Sequence, residues 1–490
     1  MSESTDQTPA TPDGRTAGSP DHGGHGRTPP PRRPPANALP PRAMRVVVAA
    51  LVLAVLPTFL VGALSAPIGE DLGTGPGAIG ASVSVFFLTA SMLALLGGRA
   101  VDRIGARRGY RIGMVGIGAA AAGIGLLATE GWHLIVGFCV GGASLAFTDP
   151  SIGRTIAGSV GWRRQGMGFG VKETAIPTAS MAAGFTLPLL GPAIGWQVPF
   201  LVVAVLAVGL ALVVPGDIEA IAGPPPAAAP SPSLRLSGDA GTASTEGARG
   251  RTGGGRTGSS PSKDDDPPDT PPGEPRALIL LAISAGIGGG AGAAVATFIV
   301  PTGLLLGLGA AAAGALLSGA SILNLGIRLG TGWLVDRHPK AVFDLLVALL
   351  AVGALGMVAL ALAGHAGPGP VDVDVAAGEV DLASTTAAAG PWAIALLILG
   401  AVLMIGPGWG WTGLVFLTAT RLVPGKPAQA SGAILTGLGA GGALFPIGAG
   451  WLAEAAGFGW TWTVVAVAML LSAALMAVAR LQAARRLART

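Results

Sequence analysis

The sequence predicts an all-α integral membrane fold: twelve transmembrane helices in two pseudo-symmetric halves of six. Three observations predict it. The 490 residues are 51% hydrophobic and only 11% charged, with a mean hydropathy of +0.64, whereas soluble domains carry about 25% charged residues. Uninterrupted apolar runs long enough to cross a bilayer, about 20 residues each, recur along the chain. A short pattern also appears twice: GGRAVDRIGARRG at Gly97–Gly109 returns in reduced form as GTGWLVDRHPK at Gly330–Lys340, with Asp102 and Asp336 234 positions apart.

The elements follow in chain order. Residues 1–43 are polar and rich in Pro and Gly. They lack the apolar stretch of a signal peptide and read as a disordered tail. His22 and His25 have no ordered context in that tail and are not read as a metal site. The first half, 44–214, holds apolar runs near 46–68, 77–98, 112–128, 133–158, 166–191 and 196–214. Residues 215–275 contain PPPAAAPSPS, GARGRTGGGRTGSSPSK and DDDPPDTPPGEP, the composition of a flexible linker. The second half, 276–480, holds runs near 277–304, 308–331, 341–363, 391–420, 428–452 and 459–479, and 481–490 form a second tail. The short alternating segments of a β-barrel are not seen. The 80 glycines suit closely packed membrane helices, and the single Cys139 excludes an intrachain disulfide.

Charge sets the orientation. Loop Lys and Arg fall in the tails, in the linker, and after runs 2 (Arg103, Arg107, Arg108, Arg111), 4 (Arg163, Arg164), 8 (Arg337, Lys340) and 10 (Arg421, Lys426). The opposite loops carry Glu70, Asp71, Glu130, Asp372, Asp374, Glu379, Asp381 and Glu454 instead. The positive-inside rule then puts both termini in the cytoplasm of a multi-pass protein of the cell membrane. The net charge of +4 is thereby a topology signal, and nucleic acid is excluded as a partner.

The halves correspond beyond the opening pattern. GWQVPFLVVAVLAVGLAL in run 6 matches GWTWTVVAVAMLLSAAL in run 12, and GFTLPLLG in run 5 matches GALFPIGAG in run 11. With these features the chain resembles the major facilitator superfamily over 45–480, apart from the linker. Gly98, Asp102, Arg103, Gly105 and Arg107 match the signature after that family's second helix, and Arg108 extends the basic pair; Ala106 departs from the usual basic residue. The second copy keeps Gly332, Asp336 and Arg337 and is otherwise degenerate. In chemical terms, a Gly at a helix end admits a close neighbour. An Asp can meet the positive N-terminus of another helix, and the arginines can clamp carboxylates or lipid phosphates. The resemblance implies a latch that holds the outward-facing state.

Ionisable residues within membrane spans are costly and are functional candidates. Asp149 and Arg154 lie in run 4, Lys172 and Glu173 in run 5, and Asn324 and Arg328 in run 8. Arg154 and Lys172 are nine residues either side of Arg163 and so should sit at similar depth, with Asp149 deeper. Lys172 and Glu173 are neighbours and cannot face each other. The expectation is that Glu173 meets Arg154, as a packing pair or as a substrate or proton site, and that Lys172 points into the central cavity. Pro150 and Pro177 can kink both helices at this level. GVKETAIP resembles a GIKQTGVP-type stretch of bacterial members, with Glu173 where Gln is usual. Arg328 is expected at the cytoplasmic gate, and Trp409 and Trp411 either stack on a substrate or simply pack.

No GxxxxGK[ST] loop is present for ATP, and there is no soluble segment of enzyme length; no cofactor or metal is expected. The resulting expectation is a monomeric, proton-coupled secondary transporter in the lipid bilayer. It would move a small-molecule substrate by rocking of its halves. Cations outnumber carboxylates within the spans, which points to an organic anion. The drug-antiporter signature is reduced to Gly191-Pro192-Ala193-Ile194-Gly195, which leans toward uptake. The alternatives are an efflux antiporter of the same superfamily and a non-transporting receptor or scaffold.

Overall fold

The computed structural model describes residues 41–157, 171–190, 195–216, 218, 275–367, 390–422 and 427–487. The N-terminal tail, nearly all of the linker, and the loops carrying Arg163, Arg164, Asp372, Asp374, Glu379, Asp381 and Lys426 lie outside these residues.

Thirteen α-helices are described: α1 Pro41–Ala63, α2 Ser65–Leu72, α3 Pro76–Ile104, α4 Ala106–Leu127, α5 Gly131–Ala157, α6 Ala175–Leu190, α7 Gln197–Val213, α8 Pro275–Leu305, α9 Ala310–Arg337, α10 Val342–Gly364, α11 Pro391–Ile405, α12 Thr412–Leu422 and α13 Pro427–Leu487. Among the described residues eight helices are long and apolar enough to cross a membrane, and α7 and α11 are shorter apolar helices. Large apolar side chains such as Leu126, Val205, Leu212 and Leu355 remain exposed, as expected where lipid is the solvent.

Two breaks depart from the expected continuous spans. The run read as 391–420 is interrupted at 406–411 by consecutive turns in GPGWGW, where Gly and Pro disfavour helix. The opposite occurs in α13, where runs 11 and 12 join without a loop. The chain turns at Gly457 with φ 81°, a left-handed backbone value that favours glycine.

Three seams join the halves, α1 with α8, α3 with α13 and α6 with α9. In each, close glycine contacts lie toward the end of the molecule that carries Glu70, Asp71 and Glu454. Gly62 packs on the Thr297 backbone, Gly80 on the Pro446 carbonyl, Gly450 on the Pro76 carbonyl, and Gly184 on the Gly314 carbonyl. A Cβ at any of these glycines would collide with backbone, so glycine is what permits the approach.

The antiparallel α3–α13 seam has a regular register. Ser84 accepts a hydrogen bond from the Ile447 N–H at 3.0 Å, Phe87 meets Gly442 and Ser91 meets Gly439. The α3 positions 77, 80, 84, 87 and 91 lie on one helix face. Continued toward the other end, this face reaches Gly98, and the facing stripe of α13 reaches Gly432. Among the described residues, neither glycine has an atom from outside its own stretch of helix within 4 Å of where its Cβ would be. The seam is zipped at the acidic end and unzipped at the basic end.

Candidate functional site

Just before α6, against α9 and α12, seven residues form a buried polar network. The Arg328 guanidinium, 1% exposed, donates from Nη1 to Glu173 Oε2 at 3.1 Å and to the Glu173 carbonyl at 3.0 Å. Its Nε donates to Asn324 Oδ1 at 2.7 Å, its Nη2 to the Trp409 carbonyl at 2.9 Å, and Nη1 also reaches Thr412 Oγ1. Thr412 Oγ1 donates to Glu173 Oε2 at 2.8 Å, and the Asn324 amide donates to the carbonyls of Ile405 and Gly406 at 2.6 Å each.

The arrangement follows from the sequence locally. Asn324 and Arg328 are four residues apart and share a face of α9. The break at 406–411 frees carbonyls that a continuous helix would have used, and that face satisfies them. A planar guanidinium serves several such acceptors at once. The network ties Glu173 of the first half to Arg328, Thr412 and the broken helix of the second.

The expected Arg154–Glu173 pair is not formed. Glu173 faces α9 and α12 across the seam. Lys172, one residue and about 100° away on the helix, pairs within its own half. Its Nζ lies 2.9 Å from Asp149 Oδ1, with side-chain exposures of 11% and 25%, and also 5.5 Å from the ring centroid of Phe416 on α12 of the other half. The step of five positions from Asp149 to Arg154 corresponds to about 7.5 Å of rise, which the long lysine stem can bridge. Arg154 instead lies 3.8 Å from Asp102 Oδ1 and donates to the Val101 carbonyl at 3.0 Å, because α3 and α5 end side by side.

The repeated motif is also resolved. Gly105 has φ 91° and separates α3 from α4. The close-approach glycine is Gly97, against the Ala146 carbonyl; Gly98, assigned that role from sequence, faces open space. Arg107 Nε donates to the Val214 carbonyl at 3.4 Å, while Arg103 and Arg108 are exposed. In the second copy Gly332 is buried, Arg337 stacks 4.2 Å over the Trp333 ring, and Asp336 is close enough to act electrostatically on Arg421. Arg421 ends α12 as Arg154 ends the matching region of α5. The motif Asp thus has a cationic neighbour from the same relative place in each half, a partnership that sequence reading assigned only to topology.

Trp411 is fully buried and donates to the Gly408 carbonyl at 2.8 Å, and Trp409 packs 6.2 Å from Phe59. Both have packing roles in this state.

The sequence profile of the Major Facilitator Superfamily matches residues 46–373. No curated protein matches the chain. Among the solved structures that share its fold are a bacterial homolog of the human lysosomal transporter Spinster in an inward-facing, occupied conformation and such a homolog in an inward-facing, unoccupied one. The first aligns with a TM-score of 0.57 at 12% identity, the second with 0.58 at 14%, each over 89% of this chain and 96% of the other. The helical halves, the motif at Asp102 and the profile over most of the chain together establish that this multi-pass membrane protein belongs to the major facilitator superfamily, a family of transporters.

Proposed function

We propose that the chain is a secondary active transporter that moves a small organic anion by alternating access, with proton coupling, in the direction of uptake. In this reading the thirteen helices make twelve crossings: α11 and α12 are the two limbs of one broken span, α13 supplies two, and short α2 supplies none. Both termini and the basic end lie in the cytoplasm of the cell membrane, and the protein acts as a monomer.

The observation that carries the reading is the asymmetry of the seams. All three have glycine contacts toward the acidic end, and in the α3–α13 seam Gly98 and Gly432 stand apart at the basic end. With the basic end cytoplasmic, this is an inward-facing state. Extending the α3–α13 register closes Gly98 onto Gly432 and brings Asp102 to the start of α13, which is the latch expected of the motif. The broken helix at 406–411 lies at the half–half interface, where discontinuous helices of transporters build their sites.

The two ion pairs take different roles. Arg328 and Glu173 are sealed and hydrogen-bonded, so they couple the halves. Asp149 and Lys172 are the more accessible pair. Lys172 receives the substrate carboxylate, and Asp149 exchanges the proton.

Purified protein in liposomes tests this. Counterflow of labelled small carboxylates, accelerated by an inward proton gradient, is the expected result. Counterflow driven only by an opposed gradient would favour efflux, and absence of counterflow across carboxylates, amino acids and organic cations would favour a scaffold.

A further inference from the structure

We propose that Glu454 is an outer latch that holds the present state closed by capping α3 from the opposite half. Glu454 Oε1 accepts a hydrogen bond from the Gly77 N–H at 2.7 Å, across 377 residues of sequence. This inference rests on the alternating-access reading, but the contact itself is structural.

The start of α3 is built to need such a partner. Its N-cap is Gly75, which has no side chain; Pro76 follows and has no N–H; no acidic residue occupies the first turn. Gly77 therefore carries the first free backbone donor, at the positive end of a 29-residue helix. The space is cut for a carboxylate: a Cβ on Gly77 would lie 2.7 Å from Glu454 Oε2 and 2.8 Å from Trp451 Cδ1. Only glycine admits the carboxylate at this distance.

A second observation points the same way. α13 also begins with proline, Pro427, and also lacks an acidic first-turn residue. Asp102 lies 26 residues after Pro76, and Glu454 lies 27 residues after Pro427. Two antiparallel helices in the observed register therefore each carry a carboxylate where the partner begins. Asp102 is engaged with Arg154 at 3.8 Å here, while Glu454 is engaged with Gly77. Because the seam zips from one end or the other, the two carboxylates cap alternately, and Glu454 sets the weight of the state closed at the acidic end.

The test uses the full chain in nanodiscs, with Cys139→Ser as background. Spin labels at Thr129→Cys and Ala366→Cys report the acidic end, and labels at Arg111→Cys and Lys340→Cys the basic end. Glu454→Gln keeps the acceptor and removes the charge; Glu454→Ala removes both. A carboxylate at a helix N-terminus shifts an equilibrium by between about twofold and thirtyfold. The population separated at the acidic end should rise within that range for Glu454→Gln and further for Glu454→Ala, with matching closure at the basic end. Glu454→Asp, too short to reach, should follow Glu454→Ala and carries the test if either other variant fails to fold. Unchanged distances in folded variants overturn the latch. Wild-type counterflow, measured separately, decides the transport reading on its own.

Discussion

Replacing Glu173 by Gln perturbs the one ion pair that, among the described residues, crosses the seam in the interior. Arg328 is 1% exposed and Glu173 6%, so water screens the pair little. Losing one partner of a buried pair costs about 3–5 kcal/mol. Part is retained, because Arg328 still donates to Asn324 and to the Trp409 carbonyl, and the Gln oxygen can still accept from Thr412. A hydrogen bond to a charged group contributes about 1.5–3 kcal/mol in all, so a loss of about 2–4 kcal/mol is expected. Where it appears is informative. If the pair exists only while the acidic end is closed, the loss shifts population toward the other state and the protein melts almost normally. If it persists in both states, melting falls and the population stays. Melting of purified protein, read beside spin-label distances across both ends, separates the two. We expect the population shift. Arg328→Lys should resemble Arg328→Gln, since an ammonium cannot reach Glu173, Asn324 and the broken helix together. The double variant Glu173→Gln with Arg328→Gln should deviate from additivity by about 0.5–3 kcal/mol. Full additivity, or Glu173→Gln with wild-type melting and distances, would refute the coupling role.

Other outcomes are expected as well. Asp149→Asn should abolish proton-driven accumulation and spare exchange of bound substrate, so pH-driven uptake in that variant would exclude Asp149 as the carrier. Gly98→Leu should fold normally in open space yet slow turnover at least tenfold by blocking closure on Gly432, and unimpaired transport would contradict the extended register. A cysteine at Thr129 should react with an impermeant reagent on intact cells and one at Lys340 should not; the reverse pattern would invert the orientation.

Much of the architecture was legible because bilayer crossing demands long apolar runs, which composition cannot hide. The motif repeat and the candidate residues Asp149, Lys172, Glu173, Asn324 and Arg328 were also visible, since a charged or amide group in an apolar run stands out. Their partners were not. Depth can be counted along a helix, but azimuth depends on how helices are rotated in the bundle. Arg154 and Glu173 were paired by depth, yet face different neighbours. Thr412 gave no signal, and Glu454 read only as a loop charge. The break that Asn324 and Arg328 serve was signalled by GPGWGW, where Gly and Pro alternate with aromatics and imply turns as much as stacking.

The corner at Gly457 has a mechanical consequence. In α13 the two limbs meet at one residue, and Phe458 beside it is wedged against Phe298 at 5.9 Å and stacked on Trp462 at 5.8 Å. The corner at Gly105 between α3 and α4 is built in the same way. With no connecting segment, a tilt of the limb that bears Gly439, Gly450 and Glu454 is transmitted at once to the limb running on to Leu487. The elbow turns what would be a sliding strip into a crank and carries motion at the seam to the outer flank of the half. Lengthening it by two or three glycines would leave both limbs helical and disconnect the crank.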